Sequence, residues 1–231
     1  MSLKLKALGL GLLATLAMSA VVVMNASAAA GGHFVTTGNA HAHIQGHVTH
    51  PTGGPHNLHL VNHGLEGEIG CDIQSYTATT TTETTTSITV TANYETCYTT
   101  VADHSDHTPD VPVTMNGCTY TFTVAPIPNQ SHNTVEHTAH LVCPAGAKVE
   151  VHHPNCTVSI HPQTINTGLT YTTVGTGNGH EITMDVNVQF TTTRHGLCQF
   201  IAPTNGAGTL RGSVTVTAKN TAGAQIPLTA T

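Results

Sequence analysis

The chain has 231 residues, with six Lys plus Arg against twelve Asp plus Glu, a formal charge of −6, and 39% hydrophobic residues. It contains 43 Thr, 18 His, 22 Gly, 6 Cys and no Trp. So few cations exclude nucleic-acid binding, which needs a basic surface to neutralise phosphates, and the composition is not that of a coiled coil, a collagen or a charged disordered tail.

The first residues read as a processing segment. Lys4 and Lys6 precede an apolar or small-residue run from Ala7 to Met24, followed by Ala26-Ser27-Ala28. Positive start, apolar middle and A-x-A exit are the three parts of a secretory signal peptide. Residues 1–28 are therefore expected to be removed, leaving Ala29 as the first mature residue and no stable membrane insertion after cleavage. The mature chain keeps Lys148, Arg194, Arg211 and Lys219 against twelve acids. Its acidic surface argues against anionic lipid. The expected location is secreted, extracellular.

Between residues 33 and 63 stand eight of the 18 histidines. Over 41–48, His41, His43, Gln45 and His47 share one strand face, and Ala42, Ile44, Gly46 and Val48 the other. Pro51-Thr52-Gly53-Gly54-Pro55 reads as a turn. A hairpin centred on Gly53 sets His47 opposite His59 and His43 opposite His63. Cross-strand Cβ atoms lie ~5 Å apart, and neutral imidazole suits Zn, Cu and Ni. His43, His47, His59 and His63 are thus the candidate metal ligands. The competing expectation is a solvated face with no cofactor, because histidines also recur through the rest of the chain and no H-E-x-x-H motif is present. Many exposed histidines would also charge together as pH falls through ~6.5.

Farther on, Thr79 to Thr86 reads as a hairpin tip or an O-glycosylated stretch, and Ile88, Val90, Ala92 and Tyr94 mark a strand. Residues 103–112 are polar and carry two prolines. They divide the chain into a His/Thr-rich β unit at 29–102 and a β-sandwich unit at 113–231, or form a loop within one domain spanning 29–231.

All six cysteines follow the leader, and an even count in an exported chain reads as three disulfides. Spacing leaves 15 pairings open; strand phase narrows them. Residues 118–124 alternate Cys118, Tyr120, Phe122 and Val124 with threonines. Setting Cys118 opposite Cys143 puts Tyr120 against Leu141 and Phe122 against Ala139, an all-apolar face. Cys71–Cys97 and Cys156–Cys198 then follow by elimination. A second hairpin pairs Val151 with Cys156, Val149 with Val158 and Ala147 with Ile160. The longest strand is 181–190, with Ile182, Met184, Val186, Val188 and Phe190 on one side. Leu169, Tyr171 and Thr173 precede it, and Cys198–Ile201, Leu210–Ala218 and Ala224–Leu228 follow. No segment holds a 3.6-residue period. The expected fold class is all-β, an antiparallel β-sandwich, Ig-like or related, stapled by disulfides.

Met115-Asn116-Gly117-Cys118-Thr119-Tyr120-Thr121-Phe122, Cys143-Pro144-Ala145-Gly146, Cys156-Thr157-Val158-Ser159-Ile160 with Pro162-Gln163, and Gly168-Leu169-Thr170-Tyr171-Thr172 resemble a set of uncharacterised secreted bacterial proteins. The resemblance covers residues 115–175 best. It implies an exported, disulfide-linked β domain and carries no functional residues.

For activity, Glu136-His137, Asp103-His104 and Asp106-His107 lack a placed nucleophile, and the G-x-S-x-G elbow is absent. The expectation is a secreted structural, adhesive or binding β protein, not an enzyme, with an extracellular ligand or a second copy as partner. An exported metal-binding protein and a secreted hydrolase are the alternatives.

Overall fold

A computed structural model describes residues 32–49, 57–62, 65–101, 107–124, 135–165, 169–174, 179–196 and 205–230. In chain order the strands are β1 Phe34–Thr36, β2 His43–Thr49, β3 Asn57–Asn62, β4 Leu65–Thr79, β5 Thr84–Thr85, β6 Ser87–Val101, β7 His107–Thr108, β8 Val113–Thr114 and β9 Thr119–Val124. They continue with β10 Val135–Val142, β11 Val149–His153, β12 Cys156–Ile160, β13 Gln163–Ile165, β14 Leu169–Val174, β15 Gly179–Arg194, β16 Asn205–Lys219, β17 Gln225–Ile226 and β18 Leu228–Ala230. The leader at 1–28, His63, residues 103–106, Cys198 and the strand expected at Cys198–Ile201 lie outside the described residues.

The architecture is all-β and antiparallel, as expected. Following the pairings, β2 joins β4, then β6, β9, β10, β14, β15 and β16, and β16 returns to β2. One sheet has curled until its ends meet, an eight-strand ring. The facing layers expected of a sandwich are opposite walls of this ring. Its strands follow sequence order, in place of the Greek-key crossings of an Ig-like fold. Strands from either side of 103–112 pair directly, β6 with β9 and β16 with β2.

Period-two patterning builds the walls. Ile44, Tyr76, Ile88, Val90, Ala92, Val124, Val214, Val216 and Ala218 are buried in one core cluster, and Val158, Val186, Val188 and Phe190 in a second. Between them on the same strands, Gln45, Thr77, Thr89, Thr91, Asn187 and Gln189 face water. Burying a large apolar side chain such as Phe190 contributes roughly 2–3 kcal/mol.

A small sheet of β18, β1 and β5 packs Phe34 and Leu228 into the first core cluster. Phe34 pairs with Ala230 on one side and Thr85 on the other, and the Thr36 N–H donates to the Glu83 carbonyl at 2.8 Å. The threonine-rich tip at 80–83 therefore turns from β4 toward β5 and is anchored to β1. The strand expected over Ala224–Leu228 divides at Pro227. Proline has no N–H for a ladder, so β17 stays on β16 and β18 crosses to β1.

Two registers bear directly on the sequence reading. Phe122 faces Ala139 and Tyr120 faces Leu141, beside a Cys118–Cys143 disulfide. Cys71 and Cys97 are direct cross-strand partners and are bridged. Cys156 is also disulfide-bonded; its expected partner, Cys198, is outside the described residues. The bridges imply an oxidising environment. The β11–β12 register differs from expectation by two residues. The turn holds only Pro154 and Asn155, so His153 faces Cys156, Val151 faces Val158 and Val149 faces Ile160. A two-residue slip preserves which side faces the core.

Candidate functional site

The histidine face is where the sequence placed its chemistry. Its phase is right: His43, Gln45 and His47 are exposed while Ala42 and Ile44 are buried. The hairpin is not formed. β2 and β3 lie end to end, both antiparallel to β4 on one side and to β16 on the other. Each of those 15-residue strands is long enough, at about 3.3 Å per residue, to span both short ones. His47 stands beside Ser75 and His59 beside Glu68, roughly 20 Å apart along β4. His47 and His59 are therefore not cross-strand partners, while His63, the partner expected for His43, lies outside the described residues. His43 instead lies 3.5 Å from the Thr79 hydroxyl on the outer face.

The feature the sequence reading missed is inside the ring. Two adjoining cavities, each about 60 Å³, occupy the interior. The first is bordered by Phe34, Leu228, Ile44, Ile88, Val214 and Val216. The second is bordered by Leu58, Ile69, Leu141, Val149 and Val188. Tyr94, Tyr120, Ile165 and Leu210 line both. Among the described residues, no charged side chain and no histidine borders either one. Gly46 faces inward on β2, and a Cβ there would meet Val214 Cγ2 at 3.1 Å and Tyr76 Cβ at 3.4 Å. The missing side chain lets β2 and β16 pack closely around the first cavity.

Two hydrogen-bonded sets of polar side chains enter this apolar space. Gln74 is fully buried; its Nε2 donates to the Cys71 carbonyl at 3.3 Å. The Tyr76 hydroxyl donates to Gln74 Oε1 at 2.9 Å. The Tyr76 and Tyr94 rings meet edge to face at 6.2 Å between centroids. The Tyr94 and Tyr120 hydroxyls are 3.1 Å apart. Tyr94 and Tyr120 are half-buried and border both cavities. Desolvation pushes all three phenols well above their ordinary pKa of 10, with the neighbouring tyrosines adding to it, because burial disfavours the phenolate.

The local backbone explains how Gln74 enters the core. Gly67, Ile69 and Cys71 are buried on β4, and then Gln74 and Tyr76. On β6 the buried positions run Val90, Ala92 and then Cys97, Thr99. Both strands change phase between the Cys71–Cys97 and Gln74–Tyr94 pairs, and the register is kept. Thr96 sits there at φ 52°, a left-handed conformation that is costly for a β-branched residue.

Replacing Gln74 by Leu should destabilise the protein by roughly 1–3 kcal/mol, the cost of removing the acceptor of a buried hydroxyl. Urea unfolding of the oxidised protein measures it. A loss below about 0.5 kcal/mol, the scale of a surface change, would show that the amide plays no part in holding the tyrosines.

Comparison with known proteins adds no relative. No protein-family model, curated protein or solved structure matches the chain. The interior must be read from its own chemistry.

Proposed function

We propose that this is an exported, non-catalytic binding protein of the cell exterior, whose barrel interior receives a small, largely apolar ligand. The observation that carries this is the pair of adjoining apolar cavities at the centre of a closed eight-strand ring. A ring of eight strands is about the size at which side chains fill the inside or leave room for one small ligand. Apolar walls with a few placed polar groups are the usual make-up of a ligand site. Among the described residues the lining carries tyrosine and glutamine but no acid, histidine or lysine to act as base or nucleophile, which supports binding over hydrolysis. The end-to-end arrangement of β2 and β3 does not favour the alternative of a Zn, Cu or Ni site at His43, His47, His59 and His63.

Dissolved xenon, which enters dry apolar cavities, should raise the melting temperature of the oxidised protein in a saturable way, because a ligand bound only to the folded state stabilises it by mass action. Leu210→Phe, placed where both cavities meet, should abolish that rise. No saturable shift in the unsubstituted protein sinks the proposal.

Export is the other half of the reading. N-terminal sequencing of material released by the producing cell should begin at Ala29, give or take about two residues, as the A-x-A exit directs. Recovery of Met1 would overturn it.

A further inference from the structure

We propose that the ligand enters and leaves this interior through a seam between β13 and β15, and that the Gln163 carboxamide is the latch that holds the seam shut. This rests on the reading of the barrel as a ligand-binding interior and adds to it the route by which the site fills and empties.

The seam follows from the strand pairings. On one side β15 is paired with β16 from Gly179 to Thr191. On its other side β14 covers Gly179 to Met184, and β12 covers Thr191 to Arg194. Residues 185–190 between them have no strand partner on that side among the described residues. β13, which precedes β14, lies on β10 instead, with Ile165 facing Ala139. The gap is spanned by side chains. Gln163 Nε2 donates to the Gln189 carbonyl at 2.9 Å, and the Gln189 N–H donates to Gln163 Oε1 at 2.8 Å. The carboxamide stands where the peptide group of a neighbouring strand would. The same Nε2 also donates to the His161 carbonyl at 3.1 Å, and the His161 ring Nε2 lies 3.1 Å from the Thr191 hydroxyl.

Both cavities lie behind this seam. Ile165 and Val186 border the first, and Gln163, Ile165 and Val188 the second. Gln163 is half-buried, so it belongs to the outer surface and to the cavity wall at once. Parting β15 from β16 would break a long run of backbone bonds together. Parting β15 from β13 needs a few side-chain bonds to let go, and water takes up each donor and acceptor they release, so little is lost on balance. The residues behind the latch, Ile165, Val186 and Val188, are buried and apolar. They suit the passage of a small apolar molecule and oppose that of an ion, which would shed its water there without a partner.

Amide hydrogen exchange and the magnetic resonance of dissolved xenon, both on the oxidised protein, test it. Gln163→Ala removes the acceptor of the Gln189 N–H, so that amide should exchange about tenfold faster or more, the scale of one net hydrogen bond. Amides of the β15–β16 ladder should keep their protection in the same variant, which separates local opening from loss of the fold. The residence time of xenon inside the protein should shorten by about tenfold as well. Thr91→Ala, on the outer face of β6 opposite Thr77, should change neither rate. Xenon that still binds Gln163→Ala with an unchanged residence time overturns the portal and leaves a ligand-binding barrel. A Gln189 N–H that exchanges no faster in Gln163→Ala overturns the latch, as does equal acceleration by Thr91→Ala. Failure of xenon to bind the unsubstituted protein overturns the portal and the underlying reading together.

Discussion

Above pH 10 the protein should unfold cooperatively, and its three interior tyrosines should ionise only as it does so. Tyr76, Tyr94 and Tyr120 have pKa values raised by burial in the folded state, whereas in the unfolded chain each titrates near 10. Below pH 10 both states hold these protons and the folded state keeps its full stability. Between 10 and the folded values the unfolded chain releases them and the folded protein does not. The unfolded state then binds fewer protons, so stability falls as pH rises. One such group costs about 1.4 kcal/mol per pH unit, and three cost roughly 4. Against a total of about 5–15 kcal/mol for a typical protein, about one to four pH units suffice. Phenolate absorbance and far-ultraviolet circular dichroism, followed together, should change at the same pH. Ionisation of all the tyrosines with an intact β spectrum would show that the interior is open to hydroxide.

The second large effect is expected from the disulfides. Cys118–Cys143 and Cys71–Cys97 enclose segments of 25 and 26 residues. In the chain-entropy account each loop closure contributes roughly 3 kcal/mol by restricting the unfolded chain. Removing either pair as a double Cys→Ala substitution should lower the urea midpoint accordingly, and removing both should bring the protein close to its unfolding threshold. The Cys71–Cys97 loss should exceed that of Cys118–Cys143, because it also slackens the place where β4 and β6 change phase and hold Gln74 inside. Equal midpoints for a variant and the intact protein would mean that the ladder alone sets the pairing of those strands.

How far the sequence carries is visible in particular residues. Cys118, Tyr120, Phe122 and Val124 alternate with threonine, and one register makes every facing pair apolar; that register is the one found. The β11–β12 hairpin shows the limit of the same logic, since a slip by two residues also keeps every face apolar, and the turn length decides. His43 and His47 were assigned to the solvent side correctly, because alternation is a local property. Their partners were not, because pairing depends on the reach of β4 and β16, elements remote in sequence. Ring closure is equally non-local. Gln74 escaped notice for a third reason: uninterrupted alternation from Gly67, Ile69 and Cys71 would put it outside, and the left-handed turn of Thr96 on the neighbouring strand is where that alternation fails. A polar residue two positions before an aromatic one, Gln74-Ser75-Tyr76, was the available signal.

Closure of the ring also dictates the order of events during folding. β2 and β16 come from near opposite ends of the described chain, yet they are hydrogen-bonded neighbours from His43–Lys219 to His47–Thr215. A contact between residues so distant in sequence is entropically expensive to form and belongs late on the pathway. Until β16 arrives, β2 and β15 each present an unpaired strand margin, a template for joining another chain. The nascent molecule is thus most aggregation-prone in the interval just before its last long strand docks. A chain shortened ahead of Asn205 would stay in that interval and assemble edge to edge, whereas the completed ring leaves no long margin to extend.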